Sequence, residues 1–252
     1  MSSEFPSAPA AAASGPSLSL LQRSIAVFAR PSQAWDGLRE RTQWWFPLVV
    51  LLLVHALSAA VLFRTAMIPM LHDQWEEQIA AGNMTTEQMD KASAFMDSNF
   101  GLVATIVPQV VMLVLLTLLE GLLLWFGAGF VLGTGMKFRW ALEVVSWSGL
   151  VTIPGAILMS VLAWTNGTMK NLHIGFGILL PSNDPPTRIL TALGAFLDGI
   201  GPLAIWFLIV AILGASALSG APVRRIAGVL VGIYLAVLLF GAGLAAVMVP
   251  AS

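Results

Sequence analysis

Five stretches of this chain are long and apolar enough to cross a lipid bilayer, and that feature constrains the fold more than any other. A helix needs about 20 mostly apolar residues to cross a hydrocarbon core of about 30 Å. The windows run over about 46–63, 102–131, 141–164, 190–218 and 226–249. The composition leaves little room for anything else. Of 252 residues, 58% are hydrophobic and 10% charged, whereas soluble domains carry about 25% charged residues. A water-facing surface cannot be covered with so few charges, so a soluble enzyme is excluded. Disorder of the whole chain, which needs low hydrophobicity and high charge, is excluded too. The net charge of −1 exerts no pull on nucleic acid. With no Cys, there are no disulfides, thiolate nucleophiles or Cys-ligated metals. The expected fold class is an all-α polytopic membrane protein: a bundle of five transmembrane helices with short amphipathic interfacial helices and a helical outer connection.

Positive charge near the span ends sets the orientation. Arg23, Arg30, Arg39, Arg41, Lys137, Arg139, Arg224 and Arg225 fall on one side, and Arg64, Lys91, Lys170 and Arg188 on the other. The bias of eight to four predicts a cytoplasmic N-terminus and an outer C-terminus. Trp44 and Trp45 open the first span, Trp140 precedes the third and Trp164 closes it, as amphipathic rings at headgroup level would.

Residues 1–17 are rich in Ala, Ser, Pro and Gly and read as a disordered tail. Glu4 sits where the basic region of a signal peptide would be. Residues 18–43 form an amphipathic juxtamembrane segment. Leu18, Leu21, Ile25 and Phe28 recur at helical spacing, Pro31 interrupts, and Ala34, Trp35 and Leu38 resume the stripe. Two short helices on the inner surface are expected, with Arg23, Arg30, Trp35, Arg39, Arg41, Trp44 and Trp45 facing the interface. Residues 44–250 make up the membrane domain. Its outer connection, 64–100, carries a capping box in Thr85-Thr86-Glu87-Gln88. That predicts a helix from about Thr86 to Asp97, with a shorter one near 71–80. A second connection holds the turn sequence Asn183-Asp184-Pro185-Pro186 and the sequon-like Asn166-Gly167-Thr168.

Ionisable residues inside spans are candidate functional groups, because an Asp at mid-helix costs roughly 2.5–3.5 kcal/mol on insertion. Asp198 lies near the middle of the fourth window, beside Gly199, Gly201 and Pro202. These residues predict a broken helix with freed carbonyls next to a carboxylate, the arrangement of midplane sites in transporters. Glu120 lies at similar depth in the second window. Glu143 follows Arg139 by four residues, which predicts an interfacial ion pair. His55 sits midway along the first window, and Pro154 interrupts the third. His72 and Glu76 do not suffice for a metal site, and His173 stands alone. Gly129–Gly133 and Gly228–Gly232 are small-residue pairs suited to close helix packing, within the chain or in a homo-oligomer. No catalytic constellation, metal site or cofactor motif is visible.

The order of parts carries a family resemblance. Arg30-Pro31-Ser32-Gln33-Ala34-Trp35 precedes Trp44-Trp45-Phe46-Pro47-Leu48. Met84-Thr85-Thr86-Glu87-Gln88-Met89 follows in the long outer connection. Phe138-Arg139-Trp140-Ala141-Leu142 and Val151-Thr152-Ile153-Pro154 mark the third span. Over about residues 25–248 the chain resembles bacterial members of the Yip-domain family, named for Ypt-interacting proteins. The resemblance implies a five-span bundle with its N-terminus in the cytosol. Eukaryotic relatives bind Rab-type GTPases and act in early secretory trafficking. Their acidic-Leu-x-Gly-Pro motif appears here only as Trp45-Phe46-Pro47, and their Gly-Tyr pair is replaced by Ser146-Trp147. Arg outnumbers Lys nine to three, a bacterial leaning that places the chain in an inner, cytoplasmic membrane. The expected role is non-enzymatic: an organiser or adaptor that engages membrane lipids or a protein partner. The alternative is a transporter or channel using Asp198 and Glu120.

Overall fold

The computed structural model of the chain describes residues 18–169, 172–181 and 187–248. The expected tail 1–17 and the turn Asn183–Pro186 lie outside the described residues. Helix α1 (Leu20–Ala29) opens with a capping box in which Ser19 accepts from the Gln22 N–H and Gln22 accepts from the Ser19 N–H. The chain then turns continuously from Pro31 to Glu40, and Gly37 takes a φ of 76°. The second amphipathic helix expected here does not form. Pro31 and a left-handed glycine break the ladder at both ends of a stretch too short for a helix.

Helix α2 (Trp45–Leu62) continues through a π-helical stretch, Phe63–Met67, into α3 (Ile68–Ala80). Pro69 has no N–H to offer the ladder, and the wider spacing just before it absorbs that loss. The first apolar helix thus runs from Trp45 to Ala80, well past the expected end near Phe63. Helix α4 (Thr86–Asp97) starts at the expected Thr85–Gln88 capping box. Helix α5 (Asn99–Trp125) is capped by Ser98 and extends as a π-helical stretch to Val131. Gly133, with a φ of 63°, stops it.

Helix α6 (Phe138–Gly149) passes through a tight 3-10 turn at Leu150–Thr152 into α7 (Ile153–Asn166), so the interruption falls at Pro154 as expected. A further 3-10 turn covers Phe176–Leu179. The fourth window is two helices, α8 (Arg188–Asp198) and α9 (Pro202–Ser219), separated at Gly199–Gly201. Helix α10 (Val223–Met248) completes the chain. Among the described residues, five helices are long and apolar enough to cross a membrane: Trp45–Ala80, Asn99–Val131, Phe138–Asn166, Pro202–Ser219 and Val223–Met248. Among the described residues there is no strand.

Helix α6 is the axis. Every residue from Ala141 to Ser148 is buried, against α2, α5 and α9. Glycines set the close approaches. A Cβ at Gly149 would lie 2.8 Å from Leu51, and one at Gly121 would lie 2.8 Å from Leu142. The Gly228–Gly232 pair has open space around both positions, so it packs no helix within the chain. Gly133 is a helix stop, which leaves Gly129–Gly133 without the helical geometry of a packing pair.

Candidate functional site

The helix break is built, not frayed. The segment 173–177 lies directly on it. The Phe176 N–H donates to the Ile200 carbonyl at 3.0 Å. The Tyr234 hydroxyl of α10 donates to the Gly199 carbonyl at 2.6 Å. The Gly199 and Ile200 carbonyls at the break therefore each have a protein donor. Asp198 is not alone either. His173 Nδ1 lies 2.8 Å from its Oδ2 and 3.0 Å from its Oδ1. Sequence reasoning missed this pair, because the partners are separated by a connection whose path the sequence does not dictate. The one available signal was Gly175 and Gly177, which admit the backbone of Leu197 and Asp198 and the Asp198 carboxylate.

Gly199 abuts Leu238, near the middle of α10. Around that level the polar residues of four other elements gather. One cavity of about 310 Å³ is lined by Asp198, Gly201, Gly175, Thr152 and His55. A second, of about 240 Å³, shares His55, Thr152 and Ala204 with the first and adds Thr117, Glu120, Phe207 and Tyr234. A third, of about 130 Å³, runs between α5, α9 and α10 from Glu120 and Tyr234 along apolar walls. His55, Glu120 and Asp198, on three separate helices, thus line neighbouring cavities that share wall residues. Glu120 is exposed, and Gly127 of the π-helical stretch that follows packs tightly against Val229 and Ile233 of α10. Replacing Tyr234 with Phe removes the donor to Gly199. It is expected to lower stability by about 1–2 kcal/mol, read as an earlier midpoint in denaturant titration; an unchanged midpoint would show that the hydroxyl does not hold the break.

Glu143 is elsewhere, at the end of the bundle where α1 lies, and fully buried. Its carboxylate accepts from the Gln43 N–H at 2.7 Å. It therefore caps the N-terminus of α2, whose Trp44 cap position has no side-chain bond of its own. The expected ion pair with Arg139 is replaced: Arg139 donates to Thr42 Oγ1 at 2.9 Å and to the Arg39 carbonyl at 2.6 Å.

The juxtamembrane segment folds back onto the same end. Arg23 does not face lipid. It is buried, with its guanidinium donating to the carbonyls of Ala34 and Asp36 and lying 5.6 Å from the Trp147 ring. Burial lowers its proton affinity below the ordinary guanidinium value, opposed by the charges of Glu143 and Asp36. Trp35 is also buried rather than interfacial, and Gly214 of α9 makes room for its ring. Arg39 donates to the Ala217 carbonyl at 2.8 Å and lies over Trp140. Arg30, Arg41 and Trp45 are exposed, and Trp44 is half-buried. With Arg23 and Val27 turned inward, α1 presents Leu21, Ile25 and Phe28 outward, at 70%, 59% and 43% exposure.

Among the described residues no group of three or more His, Asp or Glu is placed to hold a metal ion. No curated protein and no solved structure matches this chain. The family model of the Yip1 domain matches residues 25–245, from the middle of α1 almost to the end of α10. The chain belongs to the Yip1 domain family of multi-span, generally non-catalytic membrane proteins.

Proposed function

We propose that this protein is a non-enzymatic organiser of a bacterial inner membrane, acting on the cytoplasmic leaflet through α1. The observation that supports this is the orientation of α1. Its polar, Arg23-bearing face is clamped to the bundle while Leu21, Ile25 and Phe28 stand outward in one row. Fully burying one such side chain is worth about 1.5–3 kcal/mol, so three in a row hold a short helix in a lipid interface. An isolated amphipathic helix samples many depths; this one is held at a set depth by its own transmembrane domain. A wedge fixed in that way perturbs lipid packing on one leaflet, or presents a constant surface to a membrane partner.

The chain has no Cys, so a single Cys at Ile25 labelled with a polarity-sensitive dye reports the depth of α1 in vesicles. We expect quenching by lipids brominated high on their chains and protection from aqueous iodide. Iodide quenching equal to that of a dye at exposed Glu40 would overturn the reading. A cytoplasmic N-terminus and an outer C-terminus belong to the same proposal, and membrane-impermeant thiol labelling at each end tests them.

Transport is the second reading, favoured by the neighbouring cavities around His55, Glu120 and Asp198. Flux in proteoliposomes that survives both E120Q and D198N would remove it.

A further inference from the structure

The middle cavity has an unusual hydrogen-bonding inventory. Each polar side chain on its wall that can donate is engaged with a backbone carbonyl. The Thr117 hydroxyl donates to Leu113 at 2.9 Å, the Thr152 hydroxyl to Gly149 at 2.8 Å and the Tyr234 hydroxyl to Gly199 at 2.6 Å. His55 Nδ1 lies 2.9 Å from the Leu51 carbonyl. A carbonyl oxygen only accepts, so Nδ1 carries a proton; in the neutral tautomer that leaves Nε2 as an acceptor. The remaining polar group is Glu120, whose carboxylate has no hydrogen bond or ion pair with any described residue. The wall thus offers lone pairs from three hydroxyls, an imidazole nitrogen and a carboxylate, with its side-chain donors already in use. Such a cavity is complementary to a cation rich in N–H donors and repels an anion.

The shape adds a second requirement. Glu120 and Tyr234 also line the cavity between α5, α9 and α10, walled by Leu123, Leu208, Leu230 and Ile233. A ligand seated at Glu120 therefore has an apolar cavity beside it. We infer that the cavity between α2, α5, α9 and α10 is a binding site for a primary alkylammonium, with its NH₃⁺ group at Glu120 and its hydrocarbon chain in the apolar cavity between α5, α9 and α10. Glu120, His55 and Thr117 line the same cavity and supply acceptors for the N–H donors of that headgroup. A phospholipid amine does not fit, because its phosphate would enter a wall with no free donor. The inference stands apart from the role of α1. It names a substrate class for the transport reading, but asserts binding alone, so absence of flux does not bear on it.

The test uses the purified full chain in uncharged maltoside micelles, with four probes: hexylammonium, hexyltrimethylammonium, hexanoate and ammonium ion. Saturation-transfer NMR reads binding, and intrinsic tryptophan fluorescence reads the thermal midpoint. We expect saturable binding of hexylammonium. Hexyltrimethylammonium, which lacks N–H donors, and bare ammonium, which lacks the chain, should each bind at least about tenfold more weakly, and hexanoate not at all. E120Q should weaken hexylammonium about tenfold or more. Should E120Q fail to fold, Leu208→Trp, which fills the apolar branch, is expected to abolish the advantage of hexylammonium over ammonium. Equal binding of the two hexyl cations overturns the inference, as does equal binding of hexylammonium and ammonium. Binding unchanged by these substitutions would mean partition into the micelle and overturns it too.

Discussion

Glu143→Leu is expected to destabilise the bundle by about 3 kcal/mol or more, the largest effect of any single carboxylate here. Two losses add. The Gln43 N–H, 2.7 Å from the carboxylate, is left half-buried without this acceptor, and a hydrogen bond to a charged group is worth about 1.5–3 kcal/mol. Arg23, itself buried, loses the larger of the two negative charges that support its ionised form, and stranding a buried charge is strongly destabilising. The measurement is the dodecyl sulfate mole fraction at half-unfolding, followed by near-ultraviolet circular dichroism. A double substitution with Arg23→Met should recover part of the loss, since it removes the charge left stranded. An E143L midpoint equal to wild type would show that α2 does not depend on this cap.

Gly175→Ala is expected to rank next and to act locally. A Cβ at Gly175 would sit 2.6 Å from Asp198 Cα and 2.6 Å from the Leu197 carbonyl oxygen. Both are backbone atoms, with no rotamer by which to retreat. Overpacking of this kind costs typically about 1–3 kcal/mol. Here it should lift segment 173–177 off the break, separating His173 from Asp198. Faster cleavage of the 167–187 connection by a soluble protease reads that release. Gly228→Ala is the control. With open space around it, the substitution should be neutral or stabilise α10 by up to about 1 kcal/mol through helix propensity. Equal cleavage rates in G175A and wild type would show that the segment is not seated by this approach.

Much of the architecture is legible in the chain because the signals are local. Leu102 to Val131 is apolar enough to span a bilayer whatever its neighbours do, and α5 with its π-helical extension covers that stretch. Thr85 and Gln88 cap α4 using only their own backbone. Gly199, Gly201 and Pro202 break the fourth window because of what they lack, a Cβ or an N–H.

The partners of the polar residues are a different matter. Arg23 and Trp35 read as interfacial because a basic or aromatic residue beside a membrane usually is. They are buried because Gly214 leaves room for one ring and the Ala34 and Asp36 carbonyls await one guanidinium. Glu143 reads as the partner of Arg139, four residues away, yet binds a backbone N–H a hundred residues distant. His173 reads as solitary until the path of its connection brings it to Asp198. Hydropathy, capping and helix breaking are properties of adjacent residues, so composition and spacing carry them. Pairing depends on how each helix is rotated about its axis. In helices apolar on nearly every side, such as α9, no amphipathic stripe encodes that rotation. Close packing at Gly121, Gly149, Gly155 and Gly214 decides it, and with it which polar groups meet.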